Sequence, residues 1–319
     1  MFKSNNILAL VVATTLSIGY QQVPAQDYPQ RPIRIITTPA GGGNDISARN
    51  IAFGVAGPLG QNVIVENRPA KVVGQMVARA QADGYTLLLA GGSFALTPLL
   101  EKTPYDPVRD FASIAIVDTS PNILVVHPTL LVKSVKELIA LVRTKPGALN
   151  YSSGGAGSDN HLAAELFKAL AAINITHIPF GGSGPAVAAL VAGQVHVMIP
   201  NVSAAMGHVK ADRLRALAVG SAEPSALAPG LPTISASGVP GYEASSVHVI
   251  LAPAGTPVRI INRLNREIVA FLNLPDTRAK LLRSGVEVVA SSPQVLSSFI
   301  KADMLKWGKL IKDAGIRTD

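Results

Sequence analysis

The sequence predicts an α/β protein built as two units, each carrying a Gly-rich turn between a strand and a helix. Three observations carry this. Short β-branched runs alternate with helical patterns along the chain, the order that gives a mostly parallel sheet with helices on both faces. The plan occurs twice, with "PAGGGNDISAR" (39–49) in the first unit and "SSGGAGSDNHLAAELF" (152–167) in the second. Finally, 319 residues, 48% hydrophobic and only 15% charged, can bury a sizeable core in one large or two ordinary domains.

The elements follow in order. "IRIITT" is a strand, and "DISARNIAFGVAGPLG" has helical spacing at Ile46, Ile51, Phe53 and Leu59. "NVIVEN" is a strand. "YTLLLAG" is a fully apolar strand, hence central. In the second unit "NILVVHP" is a strand, and "SVKELIALVRTKPG" is a helix whose capping box pairs Ser134 with Glu137. "ALNYSS", "NITHIPF", "VHVMIPN" and "LRALAVGS" are strands; "HLAAELFKALAA" and "GPAVAALVAGQ" are helices. A Pro- and Gly-rich loop follows, then the strand "SVHVILAPAG". "TPVRIINRLNREIVAFL" is a helix with Thr256 as cap and Pro257 at its first position. The last helix runs over about 293–314, with Leu296, Ile300, Trp307 and Leu310 on one face.

Residues 1–25 have the order of a signal peptide: Lys3, then the apolar "ILALVVATTLSIG", then "VPA" with small residues before a cleavage point near Ala25. The apolar run is shorter than the roughly 20 residues of a membrane span, so the mature protein is expected to be exported. Removing residues 1–25 takes one positive charge, Lys3, and no acid, so the net charge of +8 becomes +7. The basic residues are dispersed and aromatics are sparse, which speaks against nucleic acid and allows a mild attraction for small anions. Absence of cysteine excludes disulfides, thiolate metal sites and a cysteine nucleophile.

A helix leaves its first N–H groups without internal partners and adds a positive dipole end. Glycines ahead of it let an anion approach the backbone. Ala40, Gly41, Gly42, Gly43 and Asn44 fit that design, and Ser153 to Ser158, with Gly157 among them, fit it again. Asp45 and Asp159 (or Asn160) stand where a helix cap would be. Neither turn has the Walker lysine, and the second matches the dinucleotide fingerprint only in part. A carboxylate, held by amides and the hydroxyls of Ser152, Ser153 and Ser158, is the better candidate. Catalysis finds little support: there is no Gly-x-Ser-x-Gly elbow, and His127, His161, His177, His196, His208 and His248 show no metal-binding spacing. His161, just after the second turn, and His248, in a strand after the long loop, merit functional attention. No metal or other cofactor is expected.

The segments "YPQRPIRIITTPAGGGNDISAR", "LGQNVIVENRP", "ADGYTLLLAGGSFALTP", "PYDPVRDFASIAIV", "NYSSGGAGSDNHLAAELF", "HIPFGGSGPAVAALVAGQVHVMIPN" and "LAPAGTPVRIINRLN", in this order, are similar to the receptors of tripartite tricarboxylate transporters, the Bordetella uptake gene family. The resemblance implies a two-domain periplasmic binding protein, type II-like, that closes on its ligand by hinge strands, "NILVVHP" and "SVHVILAP". It places domain 1 at 27–124 plus 248–319 and domain 2 at 125–247. It implies a monomer that binds a small carboxylate between the two turns and passes it to integral-membrane transporter subunits, and it adds Ser93, Phe94, Phe180, Gly181, Pro200, Asn201 and His248 to the candidate ligand set.

The chain departs from the family pattern in four places. "AKVVGQMVARAQ", with Lys71, replaces a Gly-rich loop after "ENRP"; Phe180-Gly181-Gly182 replaces Tyr-Lys-Gly; Pro200 replaces an acid; Val247-His248 replaces Trp-Phe. A pocket with less acid and with Phe94 and Phe180 as walls favours an aromatic or medium-chain carboxylate over an amino acid. A secreted α/β enzyme acting on an anion, and a ligand sensor for a signalling partner, are the alternatives.

Overall fold

The computed structural model describes residues 28–313. The signal-peptide expectation therefore lies outside the described residues, as do the side chains of Ser93 and Leu310. Two sheets organise the rest. The six-stranded one has the order β11-β4-β10-β3-β1-β2, and the five-stranded one β7-β6-β8-β5-β9.

The first sheet holds β1 (Ile33–Thr37), β2 (Val63–Asn67), β3 (Thr86–Gly91), β4 (Phe111–Pro121), β10 (Ser245–Pro253) and β11 (Glu287–Val288). Its faces carry α1 (Gly43–Leu59), α2 (Ala70–Ala78), α7 (Val258–Leu272), α8 (Pro275–Arg283) and α9 (Pro293–Asp313). Strand alternation sorts its core: Ile33, Ile35, Leu87 and Leu89 meet α1 and α7 residues on one face, while Ile36, Leu88 and Ala90 meet Val73, Val77, Leu296 and Ile300 on the other.

The second sheet holds β5 (Ile123–Val126), β6 (Asn150–Ser153), β7 (Thr176–Pro179), β8 (Val197–Met198) and β9 (Arg215–Val219), with α3 (Val135–Thr144), α4 (Asp159–Ala171), α5 (Ser183–Val191) and α6 (Val202–Lys210). Leu124 and Val126 face one core cluster, and Ile123 and Val125 the other.

The sheets are mixed, which corrects the expectation of mostly parallel pairing. β1 pairs in parallel with β2 and β3, but β10 runs antiparallel to β3 and β4. The reason is the connection between bodies: β4 leads directly into β5, and β10 returns beside β4. At the crossing, Asn122 N donates to Ala244 O (3.3 Å), Ala244 N to Gly220 O (2.8 Å) and Gly220 N to Asn122 O (2.6 Å). Apolar contact joins the bodies too, through Leu96, Leu162 and Ile311 with Trp307 against them.

Sequence reading passed over β4, α6, α8 and β11. It also misplaced one cap. Pro257, not Thr256, precedes the first turn of α7; the Thr256 hydroxyl donates to Pro253 O (2.8 Å). Ser134 caps α3 as expected, accepting from Glu137 N (3.2 Å), while the Glu137 carboxylate accepts from Lys133 N (2.8 Å).

Candidate functional site

A cleft of about 530 Å³ lies between the two bodies. The starts of five helices line it: Gly43 and Asn44 of α1, Pro69 to Lys71 at α2, Ser158 to Asn160 at α4, Gly182 and Ser183 at α5, and Asn201 ahead of α6. Their first-turn amides bring positive potential to one volume. Ser158 and Asn201 are side-chain caps, accepting from His161 N and Ala204 N; α1 and α5 start behind Gly42 and Gly182 and have no side-chain cap.

Both turns singled out in the sequence reach this cleft, with a third beside them, "FGGSGPA". The first turn packs against the third. A Cβ on Gly184 would stand 1.9 Å from Ala40 O, and one on Gly42 would stand 3.1 Å from the Ser183 Cβ. Ala40, Gly41 and Gly42 thus sit at the contact between bodies, not in the cleft lining. The signal for the third turn was the same as for the first two: a strand, glycines, then an apolar helix.

Several expected roles change. Asp45 is not a cap. It reaches back to accept from Gly41 N (3.1 Å) and pairs with Arg49 (3.0 Å). Burial alone would raise its carboxyl, but hydrogen bonds from Arg49, Asn67 and Gly41 outweigh that and hold it below the usual range. Nor does Asp159 or Asn160 cap α4, since Ser158 does; the Asn160 Oδ1 instead accepts from Gly154 N (2.8 Å) and the Ser158 hydroxyl.

Ser152 and Ser153 are fully buried outside the cleft lining. The first donates to Ala186 O (3.2 Å), and the second meets His177 Nε2 (2.6 Å). They lie on opposite faces of β6, and both faces are buried inside the second body. His161 is buried, accepts from Gly157 N (3.1 Å) and stacks on His177. Pro200 is buried behind Asn201, its carbonyl accepting from Ile123 N (2.7 Å). Phe94, Phe180, Gly181 and Gly157 line the cleft. Gly157 needs its φ of 74° for the turn into α4. Ser93 stands in the short 3-10 turn Gly92–Ala95 after β3.

The segment around Lys71 is helix α2, not a loop, and its first turn lines the cleft with Lys71. Tyr105 packs against Gly74 of this helix, where a Cβ would stand 2.6 Å from the ring, and stacks on Phe94 with ring centres 5.8 Å apart. Sequence reasoning missed Lys102 and Tyr105, which lie in the connection to β4 and reach the cleft only through the fold.

Beneath the floor His248 is fully buried. Its Nδ1 meets Asp118 Oδ1 at 2.5 Å and Ser47 Oγ at 3.2 Å, and Ser47 donates to Asp118 Oδ2 (2.7 Å). Burial lowers the affinity of His248 for its proton, but the charge and hydrogen bond of Asp118, helped by Asp159, outweigh this and raise its pKa. Among the described residues its Nε2 has no hydrogen-bond partner, and it lies 2.9 Å from where a Cβ on Gly43 would stand. Asp159 brings a carboxylate to the cleft beside Gly91. Among the described residues, no group of three or more His, Asp and Glu side chains is placed to hold a metal ion.

Two α/β bodies joined by paired strands, with a cleft between them lined by helix N-termini, define the class of two-domain solute-binding proteins. Residues 47–316 match the family described as tripartite tricarboxylate transporter family receptor, and the chain belongs to that family. Protein BugT of Bordetella pertussis is 35% identical over 302 residues, 92% of this chain and 93% of the relative. Among solved structures, Rpa4515 of R. palustris with adipate superposes with a TM-score of 0.88 at 35% identity, covering 91% of this chain and 99% of that one. MatC of Rhodopseudomonas palustris with bound malate gives 0.85 at 28% identity over 89% of this chain and 100% of that one.

Proposed function

We propose that this protein is an extracytoplasmic receptor that captures a small carboxylate between its two bodies and delivers it to a tripartite membrane transporter. The observation that carries the reading is the convergence of five helix N-termini, α1 and α2 from one body and α4, α5 and α6 from the other, on one cleft. α1 and α5 carry no side-chain cap, so their first amides stand open to a carboxylate. Adipate and malate in the relatives' structures support the same ligand class. Phe94, Tyr105 and Phe180 give the cleft apolar walls, which favours a medium-chain or aromatic acid.

The domain division at 27–124 plus 248–319 and 125–247 belongs to this proposal. It is supported by sheet membership, which changes after Pro121 and again before Ser245. So do export by cleavage near Ala25, action as a monomer and the ligand set Gly43, Asn44, Phe94, Gly157, Ser158, Asp159, Asn160, Phe180, Gly181 and Asn201, with His248 beneath.

The hydrolase alternative would draw on Ser47, Asp118 and His248. Both Ser47 and Asp118 meet Nδ1, so no serine stands at Nε2 to give up a proton, and all three residues are buried. The test is a thermal-shift screen of the mature protein against succinate, adipate, citrate, benzoate, terephthalate, nicotinate, aspartate and glutamate. A ligand at 100 times its Kd stabilises by about 2.7 kcal/mol. A shift confined to one class of acid is expected; no shift with any acid refutes the carboxylate reading.

A further inference from the structure

The cleft differs between its floor and its rim. Gly43, Gly91, Asn201 and Ser246 are buried at the floor, whereas Lys71 and Lys102 are exposed where they line the same volume. Between them stand Val73, Phe94, Tyr105 and Phe180. Neither lysine has an ion pair among the described residues. Lys71 sits in the first turn of α2, where a cation opposes the helix dipole. Helix stability therefore does not account for it. The acids of the lining are Glu101, in the same connection as Lys102, and Asp159, at the start of α4.

We propose that Lys71 and Lys102 bind a second anionic group, so that the receptor selects diacids whose carboxylates are separated by an apolar chain or ring over monoacids of the same length. This rests on the reading that a carboxylate seats at the helix N-termini. One end then meets the amides of the floor, the middle lies along the aromatic and aliphatic walls, and the far carboxylate reaches the rim ammonium groups. Both lysines are solvated, so each contact is worth only a modest factor and is screened by salt. A monoacid leaves them in water at no cost, so they add preference without excluding it.

Titration calorimetry on the mature protein tests this with matched pairs: hexanoate and adipate, octanoate and suberate, benzoate and terephthalate. In at least one pair the diacid is expected to bind about tenfold tighter at low salt. That ratio should shrink at 0.5 M NaCl and fall to near one in the Lys71→Gln/Lys102→Gln double variant. Lys145→Gln, exposed and outside the cleft lining, should keep it. A ratio of one in every wild-type pair, or a ratio kept in the double variant, overturns the role of the lysines and leaves the carboxylate reading standing. Absence of binding by every monoacid and diacid overturns both.

Discussion

The side-chain amide of Asn201 fills the space that a side chain on Gly43 would occupy: its Nδ2 lies 2.0 Å from the ideal Cβ position. The two residues belong to different bodies, so the contact fixes how α1 and α6 meet, close to the crossing at Asn122, which bridges to Asn201. Asn201 has little freedom to retreat, because its Oδ1 caps α6 by accepting from Ala204 N (3.0 Å). His248 Nε2 closes the other side at 2.9 Å.

Gly43→Ala should therefore fold and fail to close. Each body keeps its own core, and alanine suits the first turn of α1. We expect ligand affinity to fall at least about tenfold and small-angle scattering to show no compaction when ligand is added. Gly184→Ala is a second route to the same state, since its Cβ would meet the backbone oxygen of Ala40 at 1.9 Å. Alanine in α5 should even stabilise the free protein, by up to about 1 kcal/mol. Unchanged Kd and normal compaction in both variants would show that the cleft shuts by a different contact.

Ser158→Asp separates capping from charge. Aspartate caps a helix about as well as serine, so α4 should stay intact, while loss of the hydroxyl's donations to Gly155 O and Asn160 Oδ1 should lower the melting temperature modestly. The new carboxylate would stand at the floor of the cleft, beside Asp159. Calorimetry should show carboxylate binding lost. Binding at wild-type strength would remove the α4 turn from the anion site.

How far the sequence reached follows from what each segment reports. β1, β3, α3 and the Gly-rich turns were legible because period and cap signals are local. β4 was not: "FASIAIVDTSP" mixes small and polar residues, and Asp118 reads as a strand breaker until His248 is seen to pair with it. α6 is only nine residues long with a glycine inside, and its cap, Asn201, was read as a pocket residue; it is both a cap and a cleft residue. Ser152 and Ser153 looked like ligand hydroxyls because sequence does not show that β6 runs through Ser153 and is covered on both faces. Lys102 and Tyr105 reach the cleft through a connection whose path depends on the whole fold.

The Asp118–His248 pair makes stability depend on pH in a definite sense. His248 holds its proton more tightly in the folded state than the ordinary value of 6.5. The pair's contribution is then complete below pH 6.5 and is lost as pH rises through the raised folded value. Asp118→Asn should cost about 3 kcal/mol or more at pH 6, where it strands a buried cation, and less at pH 9. Denaturant melts at the two pH values check this; a pH-independent loss would mean that His248 is neutral throughout.

Asp303 carries the opposite lesson, because here ionisation works against the fold. It lies on α9, which packs on β4, while Asp159 opens α4, which packs on β6. Both line a small second cavity with Glu243 and Lys306. Burial first, then the Asp159 charge, raise the Asp303 carboxyl to about 6, against the pull of Lys306. The unfolded chain gives up this proton near pH 3.9. Between those values the folded state holds the extra proton, so its stabilising effect is full below about pH 4 and lost as pH rises through 6. Asp303→Asn removes that loss. Its melting temperature should exceed wild type at pH 7.5 and match it at pH 4. Because the two carboxylates sit on different bodies, the variant should also bind ligand more tightly at pH 7.5, by a few-fold. An equal melting difference at both pH values would show that Asp303 titrates like a solvated carboxylate and that its repulsion with Asp159 does not act between the bodies.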